Sequence, residues 1–430
     1  MSDFKFDFAP TLEGGAASVD SSTADGKGKA LNAKNADAAN AYALIAKLLH
    51  RSETNVNTCT LWNASSKMIL SLKDGVSSNS NSINDCDPSG RNEKKEFAPL
   101  LRFQSHESIH LASSTNSLPT MEKLRYVLPK HTLSDTTTDL IPGVYEGGLK
   151  VWECSIDLCR YLADITCELS VMMSGDAMPT ATSSLAEDDL IHVRAAVKRC
   201  IESDGTTLEL GCGHGLPGCL IVREKIRRSV DRTPTQQNVC SADDASDNSV
   251  VIFSDFNDFV LHHATIPNAQ LNVSGMRHDD GVAMDECRIA QALLERSIFV
   301  GGDWMGLSQK LSCGMLPLPC GARRQSNVDD NRLDLILASE TTYTPESCED
   351  TAFFMLRHLK VEVGVGLVAT KRFYFGVGGG TDLFTAACET LSMTDTGQFS
   401  DLRLSVRVAQ SYESGIANIR DLLEVRCRRK

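Results

Sequence analysis

Residues 206–219 read TTLELGCGHGLPGC. A short apolar run ends at Leu210, and Gly211, Gly213, Gly215 and Gly218 then crowd into eight positions. Glycine lacks a Cβ, so such a turn can bend tightly and let a ligand approach the backbone closely. The helix that follows would aim its free N–H groups at the same place. A strand, a glycine turn and a helix in that order open a nucleotide-binding α/β fold.

Two templates fit the turn. Gly213, Gly215 and Gly218 spell G-x-G-x-x-G, the dinucleotide pattern, in which the helix amides meet a pyrophosphate. Glu209, Gly211, Gly213 and Gly215 spell E-x-G-x-G-x-G, the first motif of S-adenosyl-L-methionine (SAM) methyltransferases. There is no phosphate in that case, and an acid reads the ribose. The turn alone does not choose between them.

The chain has 430 residues, 42% of them hydrophobic, which is enough for one large domain or two. Its net charge of −13 argues against general affinity for nucleic acid or anionic membrane. No apolar run reaches the ~18 residues of a membrane span. The start, MSDFKFDFAP, lacks the apolar core of a signal peptide. The 15 cysteines are scattered with no C-x-x-C, so they read as reduced thiols of the cytosol or nucleus. A monomer is expected.

Composition divides the chain near residue 135. Residues 1–135 are rich in Ser, Thr, Asn and Asp, and SSNSNSINDCDPSGRNEKK (77–95) has almost no apolar content, which predicts disorder. Within this region NAYALIAKLLH (40–50) predicts a short helix. Residues 136–430 read as one domain with polar loop insertions at 228–248 and 312–331. Helices are predicted at 149–165 and 191–202. Strands are predicted at TTLELGCG, VVIFSDFND (250–258), SIFVGGDWMGL (297–307), LDLILASETTY (333–343) and the start of VGVGLVATKRFYFGVGGGTDLFTAACETL, with helical patterns after each of the first two and the last two. No element is read at 274–296. The last two segments, LRLSVRVAQSYE and ANIRDLLEVRCRRK, are β-rich with no helix between them, which favours an antiparallel hairpin. The expectation is a Rossmann-like α/β fold: a seven-stranded sheet, mostly parallel, with a C-terminal antiparallel hairpin.

Ligands of such sheets lie beyond the C-terminal strand ends, at the switch point. The glycine turn, Asp255-Phe256-Asn257, Gly302-Asp303-Trp304 and Ser339-Glu340 each follow a predicted strand. Asp255 is placed to accept hydrogen bonds from a ribose diol, Asp303 to meet an adenine amino group and Trp304 to flank the ring. A dinucleotide acid is expected ~20 residues past the glycines; here Asp255 stands 40 past Gly215, with a polar loop between. The combination favours SAM.

These motifs together resemble the protein-histidine N-methyltransferases of the seven-strand class. The resemblance covers roughly residues 139–430 and rests on GVYEGGLKVWEC (143–154), LELGCGHGLPG, FSDFN, GDW, LILASETTY, YFGVGGGT (374–381) and ANIRDLLEV. It implies SAM-dependent methylation of an imidazole nitrogen in a protein, with a large-subunit ribosomal protein as the acceptor of known members. By match to the family's motifs, Val151, Trp152, Glu153, Cys154, Ser155, Gly211, Asp255, Phe256, Asn257, Gly302, Asp303, Trp304 and Ser339 fall on cofactor-contacting segments. The long polar N-terminal region and the two loops depart from the pattern and leave the substrate open.

Glu340 and Tyr343 form an E-x-x-Y arrangement after the fourth strand. We expect Glu340 to hydrogen-bond the acceptor side chain and Tyr343 to shape its pocket. Lysine methyltransferases place D-x-x-Y here, so lysine methylation stays open, as does a non-catalytic SAM-fold ribosome-assembly factor. Plain structural roles compete at each position: Trp304 as core, Asp255 as a helix cap, Glu340 as a solvated acid, Gly376–Gly380 as a flexible turn, His214 as a loop residue. HESIH (106–110) matches the zinc-protease signature H-E-x-x-H, which works only on a helix. It lies in the weakly patterned region, and no metal site is expected.

Overall fold

Five runs, β4 (Thr207–Leu210), β5 (Val251–Asp255), β6 (Ser297–Gly301), β7 (Leu335–Ser339) and β8 (Val365–Lys371), are mainly apolar at their centres and buried along nearly their whole length. That is the signature of parallel strands covered on both faces. In the computed structural model of the chain they form the parallel centre of an eight-stranded sheet, flanked by β1 (Thr60–Trp62), β9 (Leu402–Ser414) and β10 (Asn418–Arg429). The structure describes residues 25–54, 60–62, 102–110, 123–130, 147–174, 187–231, 250–274, 285–316, 332–414 and 418–430.

The strand order is β1-β6-β5-β4-β7-β8-β10-β9. β4 pairs in parallel with both β5 and β7, so the chain leaves β4 toward one edge and later returns to its other side. Leu210 lies level with Ser254 on one neighbour and with Ala338 on the other. This is the switch point. β10 enters antiparallel between β8 and β9, leaving β9 at the edge. All seven expected strands are present, including the closing hairpin. That order, with its reversed last pair, is the Rossmann-like architecture read from the sequence.

Strand side chains alternate between faces. Val251, Phe253, Leu335 and Leu337 join one apolar layer, while Ile252, Ile336 and Ala338 join the other. The first layer is covered by α2 (Glu153–Ser174), α3 (Glu187–Glu202), α4 (Leu216–Asp231), α5 and α6 (Glu286–Arg296). α5 runs over residues 258–273, with a π-helical middle at Leu261–Thr265. The second layer is covered by α1 (Asp25–Thr54), α7 (Trp304–Ser312), α8 (Pro345–His358) and α9 (Thr381–Ser392). The sequence reading missed α6. Its signals are Asp285, which caps it by accepting from the Cys287 N–H at 2.8 Å, and Ile289 with Leu293 on one face.

Part of the N-terminal region packs on the sheet. The helix expected at 40–50 is the last part of α1, and the packed unit begins with α1 and β1, well before residue 135. Ala38, Ala41, Ile45, Leu48 and Ser52 form one buried stripe. Small alanines pack closely but carry a weak hydropathic signal, which hid the length of the stripe. Arg51 clamps α1 to α8 through two bonds to Asp350, at 2.7 and 3.0 Å. β1 adds an eighth strand antiparallel to β6 and covers what would be an open sheet edge. Segment 77–95 and most of the two loop insertions lie outside the described residues. HESIH lies in β2 (Arg102–His110), paired antiparallel with β3 (Lys123–Lys130). A strand replaces the helix that the zinc signature requires, and among the described residues no group of three or more candidate ligands could hold a metal. No described helix is long and apolar enough to cross a membrane.

Replacing Arg51 by alanine strands the largely buried Asp350 carboxylate. We expect Arg51→Ala to cost about 1–3 kcal/mol, read as a lower denaturant midpoint. An unchanged midpoint would show that the clamp does not hold α1.

Candidate active site

β4 ends at Leu210, and the chain turns with Gly211, Gly213 and Gly215 at φ 62°, 51° and 64°. L side chains rarely adopt this region. Space is also short. A Cβ on Gly211 would stand 3.1 Å from the Trp304 ring, and one on Gly215 would stand 2.7 Å from Thr265. α4 starts at the next residue, and Glu209 Oε2 accepts the Gly218 N–H at 2.8 Å. Glu209 is therefore a brace beneath the turn, almost wholly buried, and not part of the cleft wall. Burial pushes its carboxyl up to about 8, with the Asp255 charge adding to the rise and the Gly218 N–H opposing it.

Asp255, at the end of β5, is aimed by the same turn. Its Oδ2 accepts the Gly213 N–H at 2.8 Å and its Oδ1 accepts the Asn257 N–H at 3.0 Å. It caps no helix. Asp303 does, accepting from the Met305 and Gly306 N–H groups at the start of α7. Trp304 lies beside Gly211, and its Nε1 is buried with no hydrogen-bond partner among the described residues. His214 stands in the wall with both ring nitrogens engaged, Nε2 at 2.9 Å from the Leu149 carbonyl and Nδ1 at 3.1 Å from Asn268. Burial lowers its pKa, and it is a wall residue and not a base.

Beyond β7 the cleft changes character. Glu340 has φ 56°, unusual for a residue with a side chain, and its N–H donates to the Ala369 carbonyl at 2.9 Å. The Tyr374 hydroxyl donates to Glu340 Oε2 at 2.5 Å, and the Lys371 ammonium stands 3.9 Å from Oε1. Glu340 Oε1 and Thr341 Oγ1 are buried without hydrogen-bond partners among the described residues. Burial, and then the Glu340 charge, hold the Tyr374 phenol well above its ordinary value, so it stays a donor. Lys371 also lies 5.5 Å from the Trp152 ring centroid, with Lys150 at 4.4 Å. Trp152 is fixed by its own N–H, which donates to the Gly147 carbonyl at 3.1 Å.

The strand-end groups, Trp152 and Glu340 line one cleft, open at one side. Of the residues read from the sequence, Val151, Trp152, Ser155, Gly211, Gly213, Asp255, Phe256, Asp303, Trp304, Ser339, Glu340 and Tyr343 line it. Glu153, Cys154, Glu209, Gly215, Asn257 and Gly302 do not. Glu153 faces solvent and accepts from Asn418 at 2.7 Å. Cys154 is buried near Glu340, whose charge, after burial, raises its thiol pKa. Gly215 packs inward and Asn257 begins α5. The sequence reading missed Lys371 and Tyr374. Their signal was position: the end of a fifth parallel strand must reach the same face as the other four. Gly376–Gly380 form no loose turn. The Gly379 and Gly380 N–H groups donate to the Tyr343 and Thr342 carbonyls, at 3.0 and 2.9 Å. A Cβ on Gly379 would stand 2.2 Å from the Thr342 oxygen.

No family model matches the chain. It is 27% identical over 290 residues to the histidine protein methyltransferase 1 homolog of Dictyostelium discoideum, a match covering 67% of this chain and 60% of that protein. The rat protein of the same name is 27% identical over 323 residues, covering 73% of this chain and 67% of its own length. The matched region thus spans about two thirds or less of these curated relatives. The family resemblance drawn from the sequence motifs is borne out by these matches. Among solved structures, the O-methyltransferase from Bacillus cereus in complex with SAH aligns at 8% identity and a TM-score of 0.30, covering 64% of this chain and 92% of that one. The fold assignment rests on the strand order itself.

Glu209 yields a pH prediction. Unfolded, its carboxyl loses its proton near the ordinary 4.5; folded, it keeps the proton to about 8. Its contribution to stability is full below 4.5 and is lost as pH rises through 8. Glu209→Gln is neutral throughout. Its melting temperature should fall less than that of the unaltered chain between about pH 5 and 8; parallel curves would reject the assignment.

Proposed function

We propose that this chain transfers a methyl group from SAM to a histidine imidazole nitrogen of a protein, and that the acceptor is a large-subunit ribosomal protein. The observation that carries the reading is the cleft itself. It lies at the switch point, with Asp255 held at one end by the glycine turn and, at the other, the buried Glu340 carboxylate, whose Oε1 faces the Lys371 ammonium and has no hydrogen bond among the described residues. The names of the relatives support methylation of histidine in a protein. The ribosomal acceptor rests on the family resemblance, and the net charge of −13 suits a basic partner.

The residues present fit SAM. Trp304 Nε1 and Thr341 Oγ1 are buried polar atoms that lack hydrogen-bond partners among the described residues. The left-handed glycines bring the backbone close to the bound group, where side chains would intrude. Asp255 would hold the ribose hydroxyls, Trp304 and Asp303 the adenine, and the Trp152–Ser155 side of the cleft the remainder. When bound, SAM supplies an electrophilic methyl on a sulfonium sulfur.

The remaining task falls to this chain. Neutral imidazole, with a pKa of ~6.5, already carries a lone pair at neutral pH. The enzyme must present that nitrogen in line at about 3 Å and stabilise the positive charge that develops on the ring. Glu340 Oε1 does both by accepting the N–H of the other ring nitrogen. Tyr374 fixes the carboxylate by occupying Oε2, and Lys371 limits its swing. Tyr343 lines the same wall, as the E-x-x-Y spacing suggests.

The test is a methyl-transfer assay with labelled SAM and ribosomal proteins of the source organism, followed by amino-acid analysis of the labelled band. We expect label in methylhistidine, and none with Gly213→Arg, whose side chain fills the turn. Label in methyl-lysine would overturn the acceptor, and SAM binding without transfer to any extracted protein would favour a non-catalytic role. Glu340→Gln should keep SAM affinity within about threefold and lower turnover about a hundredfold. Unchanged turnover would remove Glu340 from the reaction.

A further inference from the structure

Three of the exposed large apolar side chains fall within five residues: Phe373 at 54% exposure, Phe375 at 78% and Val377 at 45%. They stand on the glycine loop that follows β8. Single exposed apolar residues are ordinary, but a concentrated cluster marks a contact surface. The loop is preformed. Its far end is hydrogen-bonded to Thr342 and Tyr343, and its near end is closed by the Val377 and Gly378 N–H groups donating to the Tyr374 carbonyl at 3.2 and 3.0 Å. Gly376 (φ 81°) and Gly378 (φ 93°) set the course of the loop, and added Cβ atoms there would meet open space or only distant contacts. No neighbouring element of the described fold packs over this stretch.

The patch also adjoins the acceptor end of the cleft. A groove runs along Phe373, Phe375 and Val377, faced by Ser414 and Asn418 of the terminal hairpin. Its remaining lining is Lys371 and Tyr374, the two residues that hold Glu340. The Glu340 side chain is only 7% exposed. A histidine that reaches it must enter as an inserted side chain, which brings the polypeptide on either side of it against the mouth. Tyr374 and Lys371, which contact Glu340 and also line the groove, join this loop to the acceptor end of the cleft.

We propose that Phe373, Phe375 and Val377 form the docking surface for the segment of the acceptor protein that flanks the target histidine, and that this segment presents apolar side chains to them. The proposal rests on the protein-histidine reading above and deepens it: the loop selects the acceptor by the residues around its histidine, while Glu340 serves the imidazole. Contacts of this kind contribute to binding the acceptor and take no part in methyl transfer.

The test compares the unaltered chain with Phe373→Ser/Phe375→Ser, using labelled SAM and a dilution series of total protein from the source organism, scored as methylhistidine. The expected result is at least a tenfold rise in the acceptor concentration giving half-maximal rate, equivalent to about 1.4 kcal/mol. SAM affinity, melting temperature and the rate at saturating acceptor should stay unchanged. Phe375→Leu, which keeps an apolar side chain, should retain most of the affinity, a rescue that general damage would not give. Superimposed acceptor curves for the unaltered and double-serine chains would overturn the docking surface and leave the methyltransferase reading intact. A change in oligomeric state with no shift in the curve would overturn it too, by assigning the patch to a second copy of the chain. Absence of methylhistidine with the unaltered chain would overturn the reading of the substrate, and this inference with it.

Discussion

The hydrogen bond from the Gly213 N–H to Asp255 is the contact on which the site depends. It joins the turn after β4 to the end of β5, two elements separated by a helix and a long polar insertion. The bond works only because Gly213 adopts a left-handed backbone and lets its amide point across the strand ends. Asp255 in turn takes the Asn257 N–H on its other oxygen, which fixes where α5 departs. One carboxylate thus aims the turn, the start of a helix and itself.

The opposite side of the cleft follows a parallel logic with different parts. Glu340 is bound on one oxygen by Tyr374, faced on the other by Lys371, and set on a backbone that the β8 strand holds by a main-chain bond. The Trp152 ring, fixed at its own N–H, lies against Lys150 and Lys371 and closes that side. The two ends differ in what they leave unsatisfied. At Asp255 both oxygens take backbone amides. At Glu340 one oxygen is buried, faces the Lys371 ammonium and has no hydrogen bond among the described residues.

Much of this was legible in the chain. The five apolar runs and the helix-free ending specify the sheet, because parallel strands buried on both faces and an antiparallel edge leave different patterns. The polar clusters after each run then locate the cleft. Individual roles were harder to read. Asp255 and Asp303 look alike in sequence, yet Asp303 caps a helix while Asp255 receives amides from the turn and a loop. Glu209 belongs to the glycine motif but braces it from below. Tyr374 and Lys371 depend on where β8 ends, and α1 depends on a stripe with small residues that hydropathy understates. Such choices are made by packing across elements, which local sequence does not carry.

The left-handed backbone of Glu340 has a meaning for the chain as a whole. A residue with a side chain held there stores strain of order 1–3 kcal/mol, and glycine would relieve most of it. The neighbouring loop uses glycine freely at such angles, at 376, 378 and 380. At 340 the chain instead retains a long acidic side chain in a conformation that suits it poorly. A glycine substituted there would relieve that strain but leave the buried Tyr374 hydroxyl without its carboxylate partner and Lys371 without its ion pair, so the strained backbone is held by the contacts its side chain makes.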